Sequence, residues 1–310
     1  MTESAFAPAT APSLRARVFR QGVRLMIRPI FARQDLSVEQ RRRKLLRLTT
    51  MAQFTIPKGT RFRQAPLGGV PAEWTDPPGE TRGVLLYLHG GAYVVGAPQI
   101  YRELTARFAR DAQVRVATLD YRLAPEHPFP AAVDDAVAAY RALLDNPPAS
   151  RIVVAGDSAG GGLSLALLQR LREEGLPMPA GAALLSPWGD LSGSLPAYTR
   201  EADREPLLYV PTLRECAVNY AGETPLEHPQ LSPIHADYQG LPPLLIQATD
   251  AEVLADDARR IAERAQAGGV EVRLEMWTGL WHVWQLFAGL VPEAGDATAR
   301  MGRWLGSRLS

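Results

Sequence analysis

RIVVAGDSAGGGLSLALL, residues 151–168, joins a β-branched apolar run to a helical run through seven residues, GDSAGGG, that are almost bare of side chains. Ile152, Val153 and Val154 read as a buried strand. The leucines from Leu163 onward recur at helical spacing. Between them stands Gly156-Asp157-Ser158-Ala159-Gly160, a Gly-x-Ser-x-Gly in the strand–turn–helix setting that a nucleophile elbow requires. Gly156 and Gly160 let strand and helix pass closely, while Ser158 takes a strained backbone conformation at the tip. The helix start directs N–H groups and a positive dipole end at charge developing near the serine. Without the flanking strand and helix, the same letters would describe a glycine-rich turn with a capping serine. Asp157 points the other way in such an elbow and reads as a structural hydrogen-bond partner.

Working outward, further strand-like runs are GVLLYLHGG, VRVATLD, AALLS, PLLIQAT and VEVRLEMW. Helical patterns separate them, as in YRELTARFARD, AAVDDAVAAYRALL and ADDARRIAERAQAGG. This alternation predicts an α/β fold with a mostly parallel sheet covered on both faces and chemistry at the carboxyl ends of its strands. Before any strand, Leu14 to Phe31 and DLSVEQRRRKLLRLTTM predict two amphipathic helices, the second opened by a Ser37–Gln40 capping box. The Ala- and Pro-rich first dozen residues read as poorly ordered. Between Gly189 and Gly222 the alternation lapses into a Pro-punctuated, partly helical insertion. The expected organisation is a helical cap segment over 1–55 and a catalytic domain over 56–310, with a second cap insertion at about 190–222.

LLYLHGGAYVVG ends an earlier strand in His89-Gly90-Gly91-Ala92. Acyl transfer needs donors preset where a carbonyl oxygen becomes an anion, and glycines let the backbone approach that oxygen. Gly91 with either Gly90 or Ala92, together with the N–H of Ala159, is the expected donor set. His89 reads as a brace for this loop rather than as a base. Tyr93 and the stretch from Leu207 to Val210 are candidates for the substrate pocket.

HGGAY (89–93), GDSAGGG (156–162) and DYRLAPEHPFPAAVDD (120–135) together resemble the hormone-sensitive-lipase branch of the α/β-hydrolases, the bacterial carboxylesterases of family IV that carry an HGG motif. The resemblance spans about residues 60–310 and implies a sheet with a helical cap built from the N-terminus and a mid-chain insertion. It also implies a serine carboxylesterase acting on short- to medium-chain acyl esters through an acyl-enzyme, with the N-terminal helices setting substrate size. Transfer to alcohols or amines and amide cleavage use the same machinery and stay open. So does a non-catalytic small-molecule receptor on this fold, although such receptors lose the histidine. In α/β-hydrolases the triad runs Ser, acid, His. That order selects His282, in WTGLWHVWQLF after the last strand-like run, over His89, His127, His228 and His235. Aligning LPPLLIQATDAEVLADD on the family's Asp-Pro-Leu places Glu252 at the acid's position, with Val253 replacing Pro and Asp250 as the alternative acid. Asp256 and Asp257 read as first-turn residues of a helix. Trp188, by the same resemblance, borders the substrate pocket.

Composition adds exclusions. The net charge of +1 conceals an asymmetry, since residues 1–63 carry 14 Lys/Arg against 3 Asp/Glu and the remainder 20 against 30. The run Arg41-Arg42-Arg43-Lys44 lacks the aromatic or glycine interleaving of a nucleic-acid or lipid-surface patch and reads as a solvated helix face complementing an acidic body, with attachment of the basic N-terminal segment to a membrane surface as the alternative. A single cysteine, Cys216, excludes an intramolecular disulfide and reads as buried and inert. No metal-binding pattern and no P-loop lysine suggest a cofactor. No apolar run is long enough to span a membrane, and the N-terminus lacks a secretory h-region, so the expected setting is cytoplasmic. A small ester is the expected partner, with a homodimer formed through VEVRLEMW at the sheet edge.

Overall fold

Three helices lead into the sheet in the structure, a computed structural model that describes residues 11–50, 55–145 and 148–309. α1 (Leu14–Met26) is capped by Ser13, whose hydroxyl accepts the N–H of Ala16. Pro29 has no N–H to continue the ladder, so the run expected through Phe31 breaks at Ile27 and resumes as the short α2 (Arg28–Ala32). α3 (Val38–Thr50) opens with the expected capping box. Ser37 Oγ accepts the N–H of Gln40 at 3.2 Å, and Gln40 Oε1 accepts the N–H of Ser37 at 2.9 Å. Of the Ala- and Pro-rich first dozen residues only Ala11 and Pro12 are described; the rest of that expectation lies outside the described residues.

The Arg41–Lys44 run departs from the solvated face expected of it. Arg41 is 2% exposed and pairs with Glu215 at 3.2 Å, and Arg42 is half-buried against the body. Only Arg43 and Lys44 face solvent. Because α3 is held between another helix and the body, half of the run serves as internal cross-links.

β1 (Arg61–Gln64) and β2 (Ala72–Asp76) begin the sheet as an antiparallel pair. Then strands and helices alternate: β3 (Gly83–Leu88), α4 (Arg102–Ala112), β4 (Val114–Leu119), α5 (Ala131–Leu144), β5 (Ile152–Asp157) and α6 (Ala159–Glu173). β6 (Ala182–Leu185) is followed by α7 (Ala197–Arg200) and α8 (Val210–Ala221), which lie in the insertion read between Gly189 and Gly222. β7 (Leu244–Thr249), α9 (Ala255–Ala267), β8 (Val272–Trp277) and α10 (Pro292–Arg308) close the chain. All six strand-like runs are strands. β1 and β2, short and partly polar, and the small-residue helix α10 were not anticipated.

In space the described strands run β1-β2-β4-β3-β5-β6-β7-β8. β2 is antiparallel to β1 and β4, and the others pair in parallel. β8 is an edge strand, as expected. Strand residues alternate between two cores: Leu86 and Leu88 pack with α5, α6 and α9, whereas Leu85 and Tyr87 pack with α4 and α10. From β3 the chain goes to β4 on one side and later to β5 on the other, so the ends of β3 and β5 meet at a switch point, with Leu88 opposite Gly156. Loops leaving such a point diverge and open a crevice. The HGG and GDSAG stretches are those two loops.

Candidate active site

The elbow is built by close approach. A side chain on Gly160 would collide with the carbonyl of Leu88, so only glycine lets α6 start against β3. Ser158 sits between β5 and α6 at φ 53°, ψ −121°, a conformation that costs a non-glycine residue on the order of 1–3 kcal/mol. Four backbone hydrogen bonds hold it there. Its N–H donates to the carbonyl of Leu185 at 2.8 Å, and its own carbonyl accepts the N–H groups of Trp188 at 2.9 Å, Gly161 at 3.0 Å and Gly162 at 3.2 Å. The neighbouring β6 thus supports the turn from both directions.

Across the switch point, the Gly91 carbonyl accepts the N–H groups of Val94 and Val95, which curls the loop after β3. Ala92 at φ 53° and Tyr93 at φ 61° follow in the left-handed region. The N–H groups of Gly91, Ala92 and Ala159 have no acceptor among the described residues, and all three residues adjoin Ser158 in sequence or line its cavity. Gly90 is different: its N–H donates to Asp157 Oδ1 at 2.9 Å, so this candidate donor is already engaged. Asp157 also accepts from Tyr87 Oη at 2.7 Å and Tyr101 Oη at 3.3 Å, as a structural anchor would. Burial pushes its carboxyl up to about 6, against the downward pull of these donors. His89 is fully buried and stacked on Tyr121, with Nδ1 at 2.8 Å from the Gly90 carbonyl. Burial pulls it down to about 4, which leaves a neutral ring that braces the loop and is absent from the cavity wall.

His282 and Glu252 approach from the ends of β8 and β7. His282 Nδ1 lies 2.6 Å from Glu252 Oε2, and the side chains are 4% and 0% exposed. Glu252 Oε1 accepts from Ser186 Oγ at 2.9 Å and from the N–H of Thr249 at 3.0 Å, which leaves Oε2 for the imidazole. With the carboxylate on Nδ1, the proton resides there and Nε2 is the free base. Burial alone would lower the His282 pKa, but the bond to Glu252 and the fields of Glu252, Glu205 and Asp157 outweigh it and raise it above the usual value. Ser158 and His282 line one cavity. Asp250, the alternative acid, is exposed and accepts the N–H of Gly279 instead.

Comparison with known proteins identifies the family. Residues 85–286 match the alpha/beta hydrolase fold family. An acetyl-hydrolase of Streptomyces hygroscopicus is 45% identical over 240 residues, 77% of this chain and 80% of that protein. The carboxylesterase NlhH of Mycobacterium tuberculosis is 37% identical over 233 residues, 70% of this chain and 71% of its own. The crystal structure of an esterase from the bacterial hormone-sensitive lipase family superposes with a TM-score of 0.90 at 41% identity, covering 97% of this chain and all of that one. The chain belongs to the α/β-hydrolase family. Within it, this is a hormone-sensitive-lipase-like carboxylic ester hydrolase.

The hydrolase's pocket differs from expectation at two positions. Trp188 is 1% exposed, gives its indole N–H to Tyr198 Oη at 2.8 Å, and is absent from the cavity wall. Tyr93 stacks on Tyr220 with ring centroids 3.7 Å apart and also turns away. Both rings fill the core beneath the loop, where a large aromatic surface is best buried. Leu207, Leu208 and Tyr209 do line the cavity, with Ile27, Phe31 of α2, Leu45 of α3, and Leu213 and Cys216 of α8. Burial pushes the Cys216 thiol up to about 12, which disfavours the thiolate. Asp256 and Asp257 do stand in the first turn of α9. Asp257 accepts the N–H groups of Gly189 and Asp190, while Asp256 pairs with Arg200, so both tie the insertion to the body.

The roles of three residues escaped the sequence reading. Ser186, at φ 44°, orients Glu252; its only signal was a serine directly after a strand. Arg42 of α3 donates to the carbonyls of Val94 at 2.8 Å and Ala124 at 2.9 Å and pairs with Glu126, so it holds the loop after β3 from outside. Glu205 is fully buried, with Oε1 accepting the N–H of Leu207 at 2.8 Å and Oε2 lacking a hydrogen-bond partner among the described residues. Burial pushes it up to about 7 against the pull of His282. No cluster of three or more His, Cys, Asp or Glu side chains suited to a metal occurs among the described residues. Among them, no helix is long and apolar enough to cross a membrane.

Proposed function

We propose that this hydrolase cleaves short- to medium-chain acyl esters with Ser158 as nucleophile. The observation that carries the reading is the buried 2.6 Å contact between His282 and Glu252, with His282 opening onto the cavity that Ser158 lines. Ser158 Oγ attacks the ester carbonyl as His282 Nε2 takes its proton, and Glu252 holds the imidazolium. The tetrahedral oxyanion accepts hydrogen bonds from the N–H of Ala159 and from those of Gly91 and Ala92, each worth about 3–4 kcal/mol of barrier. Collapse breaks the ester C–O bond, and His282 returns the proton to the departing alcohol. Water then attacks the acyl-serine by the same route and releases the acid. The apolar walls from Ile27, Phe31 and Leu213 support an acyl or alcohol chain over a charged substrate, and the acetyl-hydrolase relative supports short acyl groups.

The test is turnover of p-nitrophenyl acetate through decanoate by Ser158→Ala, His282→Ala, Glu252→Ala and Asp250→Ala. The first two substitutions are expected to cost on the order of 10⁴ or more in kcat. Glu252→Ala should cost at least about 10², and Asp250→Ala should be silent. Loss with Asp250→Ala but not with Glu252→Ala would reassign the acid.

A further inference from the structure

α1 has two apolar faces, and among the described residues only one has a partner. Ala16 and Val23 are buried against the body, and Phe19 packs edge-on against Phe287. On the other side Leu14, Val18 and Leu25 are 70%, 61% and 75% exposed. At about 100° per residue these three fall within about 40° of arc, nearly opposite Ala16 and Val23. Arg15, Arg17 and Arg24, all exposed, flank the stripe and have no carboxylate partner among the described residues. The helix itself contains no acidic residue. Scattered exposed apolar side chains need no explanation, but an aligned stripe edged by unpaired cations does.

We propose that the outward face of α1 docks on an anionic lipid surface, lying in the interface rather than crossing it. The stripe would enter the acyl boundary while the flanking guanidinium groups meet lipid phosphates, each adding to the attraction. Thirteen residues span about 20 Å as a helix, short of the ~30 Å hydrocarbon core. The helix is fixed to the body. Ser13 donates its N–H to Glu293 at 2.6 Å, and Arg20 reaches the carbonyl of Arg204 at 2.5 Å. Ile27, the residue after α1, and Phe287, the partner of Phe19, both line the cavity of Ser158. Docking therefore holds that cavity close to the layer into which apolar esters partition. The docking itself does not depend on the esterase reading, which supplies only its purpose.

The experiment is sedimentation of the full chain with vesicles of equal parts phosphatidylcholine and phosphatidylglycerol, and with phosphatidylcholine alone. Wild type is expected to bind the anionic vesicles at least about tenfold more strongly, and to weaken in half-molar salt. Leu14→Gln/Val18→Gln/Leu25→Gln should lower that partitioning at least tenfold, as should Arg17→Gln/Arg24→Gln. Both variants should keep wild-type circular dichroism and wild-type turnover of soluble p-nitrophenyl acetate. Wild type that ignores anionic vesicles overturns the proposal, as do variants that bind equally well. A wild-type dimer in light scattering that the apolar triple variant converts to monomer would also overturn it, because a second copy would then cover the stripe.

Discussion

Replacing Glu205 with glutamine changes one oxygen to an amide and tests the electrostatics around His282. Oε1 can still accept the N–H groups of Leu207 and Leu208, so the loop keeps its hold. What disappears is a buried charge, since burial raises this carboxyl from 4.5 to about 7. A carboxyl raised on folding stabilises the native state fully below its unfolded pKa, and that stability is lost as pH climbs through the folded value. At about 1.4 kcal/mol per unit, the ionised carboxylate costs about 3 kcal/mol once pH exceeds about 8, and about 1 kcal/mol near pH 5. Glu205→Gln should therefore be the more stable protein in urea titrations, by a margin about 2 kcal/mol larger at pH 8.5 than at pH 5. The kinetics give an independent reading. Glu205 contributes to raising His282, whose neutral form is the base, so wild-type kcat/KM should fall as pH drops through a midpoint above 6.5. In Glu205→Gln that midpoint should move to lower pH. A stability gain of equal size at both pH values, or a midpoint that moves upward, would refute the reasoning.

Two further substitutions separate strain and positioning from chemistry. Ser158→Gly should abolish turnover yet stabilise the fold by about 1 kcal/mol, because glycine adopts φ 53° without the steric cost. A loss of stability in urea titration would count against strain at the elbow. Arg42→Met removes the external hold on the carbonyls of Val94 and Ala124. It should lower kcat on p-nitrophenyl acetate about tenfold with little change in KM, whereas a change in KM alone would confine Arg42 to substrate binding.

The hidden parts of the site share a cause. Ser186 acts through a hydrogen bond to a carboxylate 66 residues away that strand order brings beside it, and Glu205 through a burial that only the fold imposes, its own bonds being short-range ones to Leu207 and Leu208. Arg42 was legible as charge but not as contact, because its partners lie 52 and 82 residues away. Trp188 was placed at the pocket by resemblance, and Tyr93 as a candidate beside it. Their rings instead face the core, a choice made by side-chain direction after a left-handed turn. β1 escaped notice because RFRQ has no apolar alternation, its pairing being supplied by β2.

What the chain determined on its own is local. Buried strands announce themselves as continuous apolar runs, and Gly156 and Gly160 are required wherever a strand and helix pass that closely. The order serine, acid, histidine likewise needs no coordinates. Tertiary structure decided what depends on adjacency across the sheet: that the two glycine loops leave neighbouring strands at the switch point, and that Glu252 rather than Asp250 faces His282. Asp250 and Glu252 stand two residues apart on one loop, and only the fold of that loop buries one and exposes the other. Hydrophobic periodicity is written in consecutive residues, but a buried carboxylate–imidazole contact spanning 30 positions depends on how β7 and β8 are laid side by side.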